Sequence, residues 1–229
     1  MPRLVSVNLG VPEPTRHSDF PTTSIHKRPT QDAVAVRAPG PKGVGGSGLA
    51  GDTVSDQRYH GGDDQAVYAY AREDLDAWER ELGRVLPCGA FGENLTTEGL
   101  DVTEARIGER WRVGTEVVLE VSCPRIPCRT FAGWMGDRDW VRRFTQRRLP
   151  GAYLRVLAPG RVRAGDPVDV AFRPLHEVTV ALMFRALTTE RALLPALLEA
   201  GDALPVETRL QVADHLRHMA APGAPAPGA

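Results

Sequence analysis

The residue best suited to chemistry in this sequence is Cys128, which ends the run Cys-Pro-Arg-Ile-Pro-Cys. A proline fixes its own φ and biases the preceding residue toward extended backbone, so Pro124 and Pro127 are expected to hold this segment out of a helix and to aim the sulfur. Arg125 and Arg129 would stabilise the thiolate, the form of cysteine that attacks electrophiles and binds soft metals. Cys128 is therefore the candidate reactive residue.

Three polar clusters lie far apart in sequence but combine small residues with hydrogen-bond donors: residues 23–29, 60–65 and 91–95. The first offers charged donors and a hydroxyl group, as a phosphate site requires. In the second, an imidazole precedes two glycines, where the chain can bend sharply before a buried strand. The third sets a carboxylate and an amide between apolar anchors. Convergence of these clusters would form an anion-binding pocket.

Each cluster also has a purely structural interpretation. The first is compatible with a basic surface turn, and His60 with a structural histidine or a plain turn. The third is explained nearly as well by a turn held by the Asn94 side chain. Cys88 follows a proline in a short linker and is typical of a small buried residue.

Length and composition limit the class of protein. The 229 residues suffice for one medium domain, or a domain with a small appendage, that buries its own core. Lys and Arg total 28 against 29 Asp and Glu, and the net charge of −1 gives no reason to expect nucleic acid or an anionic membrane as partner. No apolar run approaches the ~18 residues of a membrane-spanning helix.

The number of cysteines and the absence of common binding motifs argue against several classes of protein for this sequence, among them disulfide-stapled, zinc-finger and nucleotide-binding proteins. Three cysteines cannot all pair within the chain, and no signal-peptide pattern is present, so a reducing cytoplasm is the expected compartment. No zinc-finger spacing is found. Neither a Walker-type phosphate loop nor a Gly-x-Gly-x-x-Gly run after a strand occurs, so these routes to nucleotide or flavin binding have no support.

Short strands dominate the expected fold. Alternation and apolar runs predict strands near residues 4–9, 33–36, 66–70, 113–122, 153–157 and 167–172. Leu75, Trp78 and Leu82 recur at helical spacing before Gly83, and the segment between the first strand and Arg28 is interpreted as an ordered loop. The glycine-rich stretch 39–51 predicts a flexible connection that moves over a site. Together these signals favour a mostly β core with some helix, arranged as a barrel-like sheet.

The second half adds helices. Residues 134–148 predict one basic amphipathic helix, whose arginines form either a solvated face or a phosphate or partner contact. After Pro174, three short helices are expected at 179–187, 189–200 and 205–219. The predicted divisions are a β-rich domain at 1–172, a three-helix extension at 173–219 and a disordered Ala, Pro and Gly tail at 220–229.

The combined motifs resemble the MOSC family, named for the C-terminal domain of molybdenum cofactor sulfurases. The resemblance covers roughly residues 1–172, and the segment after it is similar to the three-helix extension of a bacterial branch related to 6-hydroxylaminopurine resistance. It rests on five stretches in matching order: residues 48–52, 59–62, 91–96, 107–109 and 124–128.

This resemblance implies a barrel-like domain that binds a molybdopterin-type cofactor through its phosphate and pterin. In the family, the cysteine that matches Cys128 is the proposed molybdenum ligand. If the family's function is sulfur transfer, that cysteine is instead the residue that carries a persulfide. Thiolates bind soft metals and sulfur, so their chemistry agrees with both roles. The cofactor-binding residues implied by position are Ser24, Lys27, Arg28, His60, Gly61, Gly62, Asp64, Gln65, Phe91, Gly92, Glu93, Asn94, Arg125 and Arg129.

The function implied is reduction of N-hydroxylated bases or related N-oxygenated compounds, with the cofactor performing the redox chemistry. No iron-sulfur or flavin motif is found, so an external electron-donor protein is expected as partner. The alternatives are a carrier of sulfur or cofactor that uses a Cys128 persulfide without turnover, and a binding module with an inert thiol. Cys123 departs from the family pattern, in which glutamine is usual, and a redox disulfide with Cys128 is conceivable.

Overall fold

The computed structural model describes residues 1–220, which form one large sheet, two small sheets and a set of helices. The strands are β1 (Arg3–Gly10), β2 (Glu13–Pro14), β3 (Thr22–Thr23), β4 (Lys27–Thr30), β5 (Val34–Val36), β6 (Val67–Ala71), β7 (Leu95–Glu98), β8 (Arg110–Val113), β9 (Val117–Pro124), β10 (Ala152–Ala158), β11 (Gly160–Val162) and β12 (Val168–Phe172). The α-helices are α1 (Arg72–Leu82), α2 (Arg129–Met135), α3 (Trp140–Arg147), α4 (Val180–Thr188) and α5 (Val206–Ala220). Two 3₁₀ segments cover Asp63–Gln65 and Arg191–Ala203.

The large sheet has eight strands in the order β12-β8-β9-β10-β6-β7-β1-β4. Its pairs are antiparallel except β6 with β7, which is parallel. The predicted class, mostly β with helices, is confirmed. The expected barrel is not closed, because the edge strands β12 and β4 are not neighbours in this sheet; one isolated bridge between Arg3 and Pro167 joins the start of β1 to the segment before β12.

Hydrophobic patterning explains the central strands. Leu4 and Val7 of β1 are both buried although they are three residues apart, and the register of β1 against β7 shifts between Leu4 and Ser6. β6 is buried along its whole length because both of its faces are covered. After β6, α1 begins with acidic residues and buries Leu75 and Trp78 before ending at Gly83, which adopts the left-handed conformation. The strand and helix predicted here are confirmed within one or two residues.

Two regions differ from expectation. The segment up to Arg28 is not only a loop, since β2, β3 and the start of β4 lie within it; these short strands lack an apolar period because they are partly exposed. Residues 134–148 do not form one helix. They are divided between α2 and α3, because Gly136 takes the left-handed conformation (φ 69°) and ends α2.

The core centres on packed aromatic rings beneath the helices. Phe91 contacts five other rings, with centroids 5.0–6.1 Å apart: Tyr70, Trp78, Phe131, Trp140 and Phe144. Because α2 and α3 both contribute rings, this cluster fixes the start of α2, where Cys128 is the flanking residue.

Three helical pieces follow β12, as the sequence predicted. α4 begins with Thr179, whose hydroxyl accepts a hydrogen bond from the backbone of Leu182, and the 3₁₀ segment Arg191–Ala203 packs against both α4 and α5. α4 also packs against β9, so the helices are attached to the sheet. Of the predicted tail, Ala220 closes α5, and residues 221–229 lie outside the described part of the chain.

Candidate functional site

A cavity of about 460 Å³ lies where the polar clusters of the sequence meet. Its walls come from residues before β4, from the glycine-rich region before β6, from the start of β6 and from the loop between β9 and α2. The structure therefore brings together segments that lie more than a hundred residues apart in the chain. The predicted site residues that line this cavity are Ser24, Lys27, His60, Gly61, Gln65, Gly92, Asn94, Arg125, Cys128 and Arg129.

Two of the predicted residues that lie outside the cavity lining are charged and paired elsewhere. Arg28 is exposed and forms an ion pair with Glu13 at 3.3 Å. Asp64 forms an ion pair with Arg155 at 2.5 Å. Both charges are therefore paired with side chains of other elements of the fold and not with a group in the cavity.

Three other predicted residues support the cavity from behind. Phe91 is buried in the aromatic cluster. Glu93 is also buried, and burial raises its pKa while its carboxylate accepts hydrogen bonds from the backbone of Gly89 and Phe91 and so holds the loop. Gly62 (φ 77°) lies against the backbone of Lys42, where a Cβ would stand 2.6 Å away. These residues shape the wall without lining it.

Cys128 lines the cavity with a free, half-buried thiol. Residues 125–128 are in neither helix nor strand, and Cys128 itself is extended (φ −130°, ψ 172°). This agrees with the expectation that Pro124 and Pro127 exclude a helix from this segment. The helix α2 then begins directly after the thiol.

Arg125 is the most unusual charge in the site. Its side chain is 8% exposed, and its guanidinium lies 4.5 Å from the ring centroid of Phe131 and 5.1 Å from that of Tyr68. Within residues 1–220, it has no hydrogen bond and no carboxylate within ion-pair distance. An arginine remains charged in proteins, so this guanidinium presents a positive charge at the cavity wall.

Lys27 is held by a network that sequence analysis missed. Its ammonium forms a buried ion pair with Asp52 at 2.5 Å, and burial lowers the pKa of Lys27 while Asp52 opposes that shift. Asp52 also accepts hydrogen bonds from the backbone of Gly10 (2.7 Å) and the side chain of Asn94 (2.9 Å). The positive charge of Lys27 is therefore largely compensated, unlike that of Arg125.

Neutral polar groups complete the walls. Burial, with a further contribution from nearby Arg125, lowers the pKa of His60 to about 4, so its imidazole is neutral at pH 7. The Gln65 side-chain oxygen is buried without a hydrogen-bond partner among residues 1–220. Burial raises the pKa of Tyr153, which keeps its hydroxyl protonated at the cavity. The cavity thus offers donors and acceptors to a polar ligand.

Cys123 has a different environment from Cys128. It lies near the end of β9, opposite Tyr153 of β10, and burial raises the pKa of its thiol to about 12. All three cysteines are free. The redox disulfide considered from the sequence is not formed, and a thiol that stays protonated at neutral pH is a poor attacking group.

The arginines of α3 are mostly paired within the chain. Arg143 contacts Glu81 and Asp137 at 3.0 and 2.7 Å, and Arg142 contacts Asp139 at 3.4 Å. Of the two interpretations left open by the sequence, the solvated charged face agrees with these pairs.

Several residues of the cavity were not identified from the sequence. Asp52 lies in the glycine-rich motif, but its neighbours in the sequence do not indicate that it forms a buried ion pair. Tyr68 and Tyr153 were predicted only as strand residues. Ser55 donates or accepts a 2.7 Å hydrogen bond with Ser24 across the cavity wall. Such partners are separated along the chain, so only the fold reveals them.

The described residues were also compared with the requirements of a metal site and of a membrane-spanning helix. Among residues 1–220, no group of three or more His, Cys, Asp or Glu side chains is arranged to hold a metal ion. A metal at this cavity would therefore depend on few protein ligands. In the same part of the chain, none of the helices has the length and apolar character needed to cross a bilayer.

Comparisons with known proteins agree on the family. The model of the MOSC domain matches residues 56–169. The uncharacterized protein YflK of Bacillus subtilis is 36% identical over 178 residues, which cover 77% of this chain and 76% of that protein. A protein called Reductase from Gibberella moniliformis is 28% identical over 177 residues, 76% of this chain but only 31% of that protein. The crystal structure of YiiM from Geobacillus stearothermophilus has a TM-score of 0.75 and 28% identity, with 94% of this chain and 100% of that chain covered.

Proposed function

Because the chain belongs to the MOSC domain family, we propose that it binds a molybdopterin-type cofactor in the cavity beside Cys128 and reduces N-hydroxylated bases or related N-oxygenated compounds. The MOSC family is associated with this cofactor, and the similarity to a fungal reductase supports a reductive role. The substrate and the electron donor are part of the proposal.

The observation that carries the proposal is the unpaired guanidinium of Arg125 at the cavity wall. Within residues 1–220 no protein acceptor takes a hydrogen bond from this guanidinium, so its donors remain available to an anionic ligand in the cavity. The phosphate of the cofactor has the charge and the acceptor oxygens that guanidinium donors recognise. Lys27 would support this contact from the same wall, although Asp52 already compensates most of its charge.

The rest of the cavity also fits the group. Its volume of about 460 Å³ lies within the range of small-molecule sites, roughly 300–1,000 Å³. The neutral imidazole of His60, the Tyr153 hydroxyl and the buried Gln65 oxygen would meet the polar edge of a pterin with donors and acceptors. The Tyr68 ring and the side chain of Ile25 supply apolar wall.

Cys128 would provide the protein ligand to molybdenum. Thiolates are preferred ligands of soft metals, and Cys128 is the cysteine whose side chain lines the cavity. A bound molybdenum cofactor supplies a two-electron redox centre. The role of Cys128 is then to fix the position of that centre, and the rigid start of α2 fixes Cys128.

The overall reaction would be R–NHOH + 2 e⁻ + 2 H⁺ → R–NH₂ + H₂O. The N–O bond breaks, an N–H bond forms, and the oxygen leaves as water. Both electrons come from an external donor protein. The chain's own residues bind the reactants and orient them in the cavity.

Metal analysis tests the assignment of Cys128. Protein produced in cells that make the cofactor should contain molybdenum, and Cys128→Ser should lose most of it. Cys88→Ser is the matched control, because Cys88 lies in the loop before Gly89 and not in the cavity lining. Equal metal in the wild type and in Cys128→Ser would exclude Cys128 as the ligand.

A sulfur carrier is the second candidate, and the free, cavity-lining thiol of Cys128 favours it. It predicts protein that gains one sulfur atom on Cys128 when treated with a persulfide donor and that performs no reduction. Intact-protein mass spectrometry, together with a reduction assay with a supplied electron donor, separates the two functions. Turnover that requires molybdenum would reject the carrier.

A further inference from the structure

Residues 15–21 connect β2 to β3 and form one side of the cavity that contains Cys128. His17, Ser18 and Asp19 of this segment line the cavity. The segment contacts two other walls of the same cavity, described below. We call residues 15–21 the strap.

The strap is attached to the start of α2. Asp19 forms an ion pair with Arg129 at 2.6 Å. The backbone carbonyl of His17 accepts hydrogen bonds from the side chains of Arg129 and Thr130, both at 3.3 Å. Because Arg129 directly follows Cys128, these contacts hold the strap beside the thiol.

Gly133 of α2 leaves room for the strap. A Cβ added at this position would overlap the ring of His17. Alanine suits the interior of a helix better than glycine does, so the collision with His17 would be the main effect of Gly133→Ala. The strap reaches its observed position only because this residue has no side chain.

The strap also contacts the segment formed by residues 56–60. The guanidinium of Arg58 lies 5.7 Å from the ring centroid of Phe20 and 5.4 Å from that of Tyr59. Arg58 and Tyr59 line the larger cavity, as does the start of α2. The strap therefore bridges two walls of the cavity whose third wall it forms.

The strap has unfilled space on more than one side. Thr15, Arg16 and His17 line a second, smaller cavity of about 210 Å³, which extends to α2. His17 lines both cavities. The strap thus lies between two spaces and is not packed into the core.

The contacts that hold the strap are exposed to solvent. The side chains of Asp19 and Arg129 are 87% and 68% exposed, and every one of residues 11–23 is exposed or half-buried. An exposed ion pair or cation–π contact shifts a two-state equilibrium by about fivefold at most. A segment that is held in this way, with no side chain in the core, opens locally at low free-energy cost.

The base of the hairpin is fixed more firmly than the strap. β2 pairs with β3, and both carboxylate oxygens of Glu13 in β2 lie 3.2 Å from Nδ1 of His26. Beyond β3 the chain continues into Ser24 and Ile25, which are buried. Opening therefore moves the strap and leaves its base in place.

We propose that the strap is a lid that controls access to Cys128 and lifts about its base to admit or release the occupant of the cavity. In the closed position Arg129 holds it on one side and Arg58 on the other, and the thiol of Cys128 is half-buried. Loss of either contact increases the fraction of molecules with an open lid. The lid acts on whatever molecule the cavity binds, so this inference does not depend on the cofactor or the reaction proposed above.

Alkylation of Cys128 measures opening of the lid. In a Cys88→Ser background Cys128 is the accessible thiol, because Cys123 is buried and burial raises its pKa to about 12. The rates are compared for a small reagent, iodoacetamide, and a bulky one, fluorescein maleimide. A closed lid obstructs the bulky reagent more, whereas a change in the pKa of the Cys128 thiol alters both rates by the same factor.

Three variants release the lid by different routes. Asp19→Asn removes the ion pair, Phe20→Ala removes the cation–π contact, and Gly133→Ala displaces the strap from α2. Each should raise the rate with fluorescein maleimide, relative to that with iodoacetamide, by about 2- to 5-fold. Asp139→Asn breaks an exposed ion pair of α3 and should leave this ratio unchanged. Peptide mass spectrometry identifies the alkylated residue, and thermal unfolding shows that each variant is folded.

Salt provides a second test of the same lid. About 1 M NaCl screens an exposed ion pair, so it should raise the ratio of the two rates in the wild type but not in Asp19→Asn, which has no pair to screen. Unchanged ratios in all three variants would overturn the lid, and so would equal salt dependence in the wild type and in Asp19→Asn. Neither experiment uses molybdenum, so protein that fails to bind the cofactor still decides the question.

Discussion

The guanidinium of Arg125 lies 4.5 Å from the ring centroid of Phe131, at the wall of the larger cavity and without a carboxylate partner among residues 1–220. The aromatic ring holds the charge in place but does not neutralise it. An anion in the cavity would do so. Removal of the Arg125 charge is therefore expected to weaken anion binding without lowering the free energy of unfolding.

Arg125→Met should lose at least ~10-fold in affinity for inorganic phosphate or pyrophosphate, because a charge-assisted contact to an anion is removed. The free energy of unfolding without ligand should stay within about 1 kcal/mol of the wild type or rise, because an uncompensated buried charge is removed at the same time. Calorimetry and urea denaturation measure the two quantities. Arg142→Met, on the exposed face of α3, is the control. Unchanged anion affinity in Arg125→Met would contradict the assigned role.

Removal of Asp52 should have the opposite effect on stability. Asp52→Ala leaves Lys27 buried without a partner and frees the donors of Gly10 and Asn94, so the free energy of unfolding should fall by about 3–5 kcal/mol. The double variant with Lys27→Met should recover part of this loss, since the stranded charge is gone. Urea denaturation gives both values. Glu98→Ala breaks an exposed ion pair with Arg3 and should cost no more than about 1 kcal/mol.

The sequence predicted the elements whose signal is local. β1, β6 and β9 were found from alternating or continuous apolar residues, and α1 from helical spacing with a glycine stop. β4 was missed because Lys-Arg-Pro-Thr has no apolar pattern; its strand state comes from pairing with β1. The split between α2 and α3 was missed because a helical period continues across Gly136.

The same distinction applies to the candidate site. Composition and motif order identified most of the segments that line the larger cavity, including those of Arg125 and Cys128. They did not separate the lining residues from those that act behind the wall, such as Glu93 and Asp64, because which way a loop residue faces depends on distant partners. Nor did they reveal the smaller cavity of about 210 Å³, whose walls include residues of β2 and α2.

Gly62 should be intolerant of any side chain. Its φ of 77° is unfavourable for other residues, and a Cβ would lie 2.6 Å from the backbone of Lys42. Gly62→Ala must therefore displace the loop that presents His60, and both the free energy of unfolding and the affinity for inorganic phosphate should decrease. Gly83 is the matched control: its φ of 65° imposes similar strain, but no atom lies within 4 Å of the added Cβ.

Thermal unfolding and phosphate titration compare the two alanine variants. Gly83→Ala should cost about 1 kcal/mol and leave phosphate binding unchanged, because its only penalty is the left-handed backbone. Gly62→Ala should lose more stability and also anion affinity. Equal losses of stability in both variants, with intact binding, would show that contact with Lys42 does not fix the cavity wall.

The neutral state of His60 should make stability depend on pH in a defined window. Its pKa is about 4 in the folded protein and 6.5 ordinarily, because burial and the charge of Arg125 disfavour the imidazolium. Between pH 4 and pH 6.5 the unfolded chain binds more protons at His60 than the folded chain does. The stability that the neutral imidazole contributes is therefore fully present above pH 6.5, and the free energy of unfolding falls as the pH drops toward 4. By pH 4 the loss should approach about 3 kcal/mol.

His60→Gln removes this titration and keeps a neutral polar side chain at the cavity. The free energy of unfolding of this variant, measured in urea at several values between pH 4.5 and 7.5, should fall less steeply on acidification than that of the wild type. His218→Gln, on the exposed face of α5, should follow the wild-type curve. Parallel curves for the wild type and His60→Gln would mean that the surroundings of His60 do not lower the pKa of its imidazole.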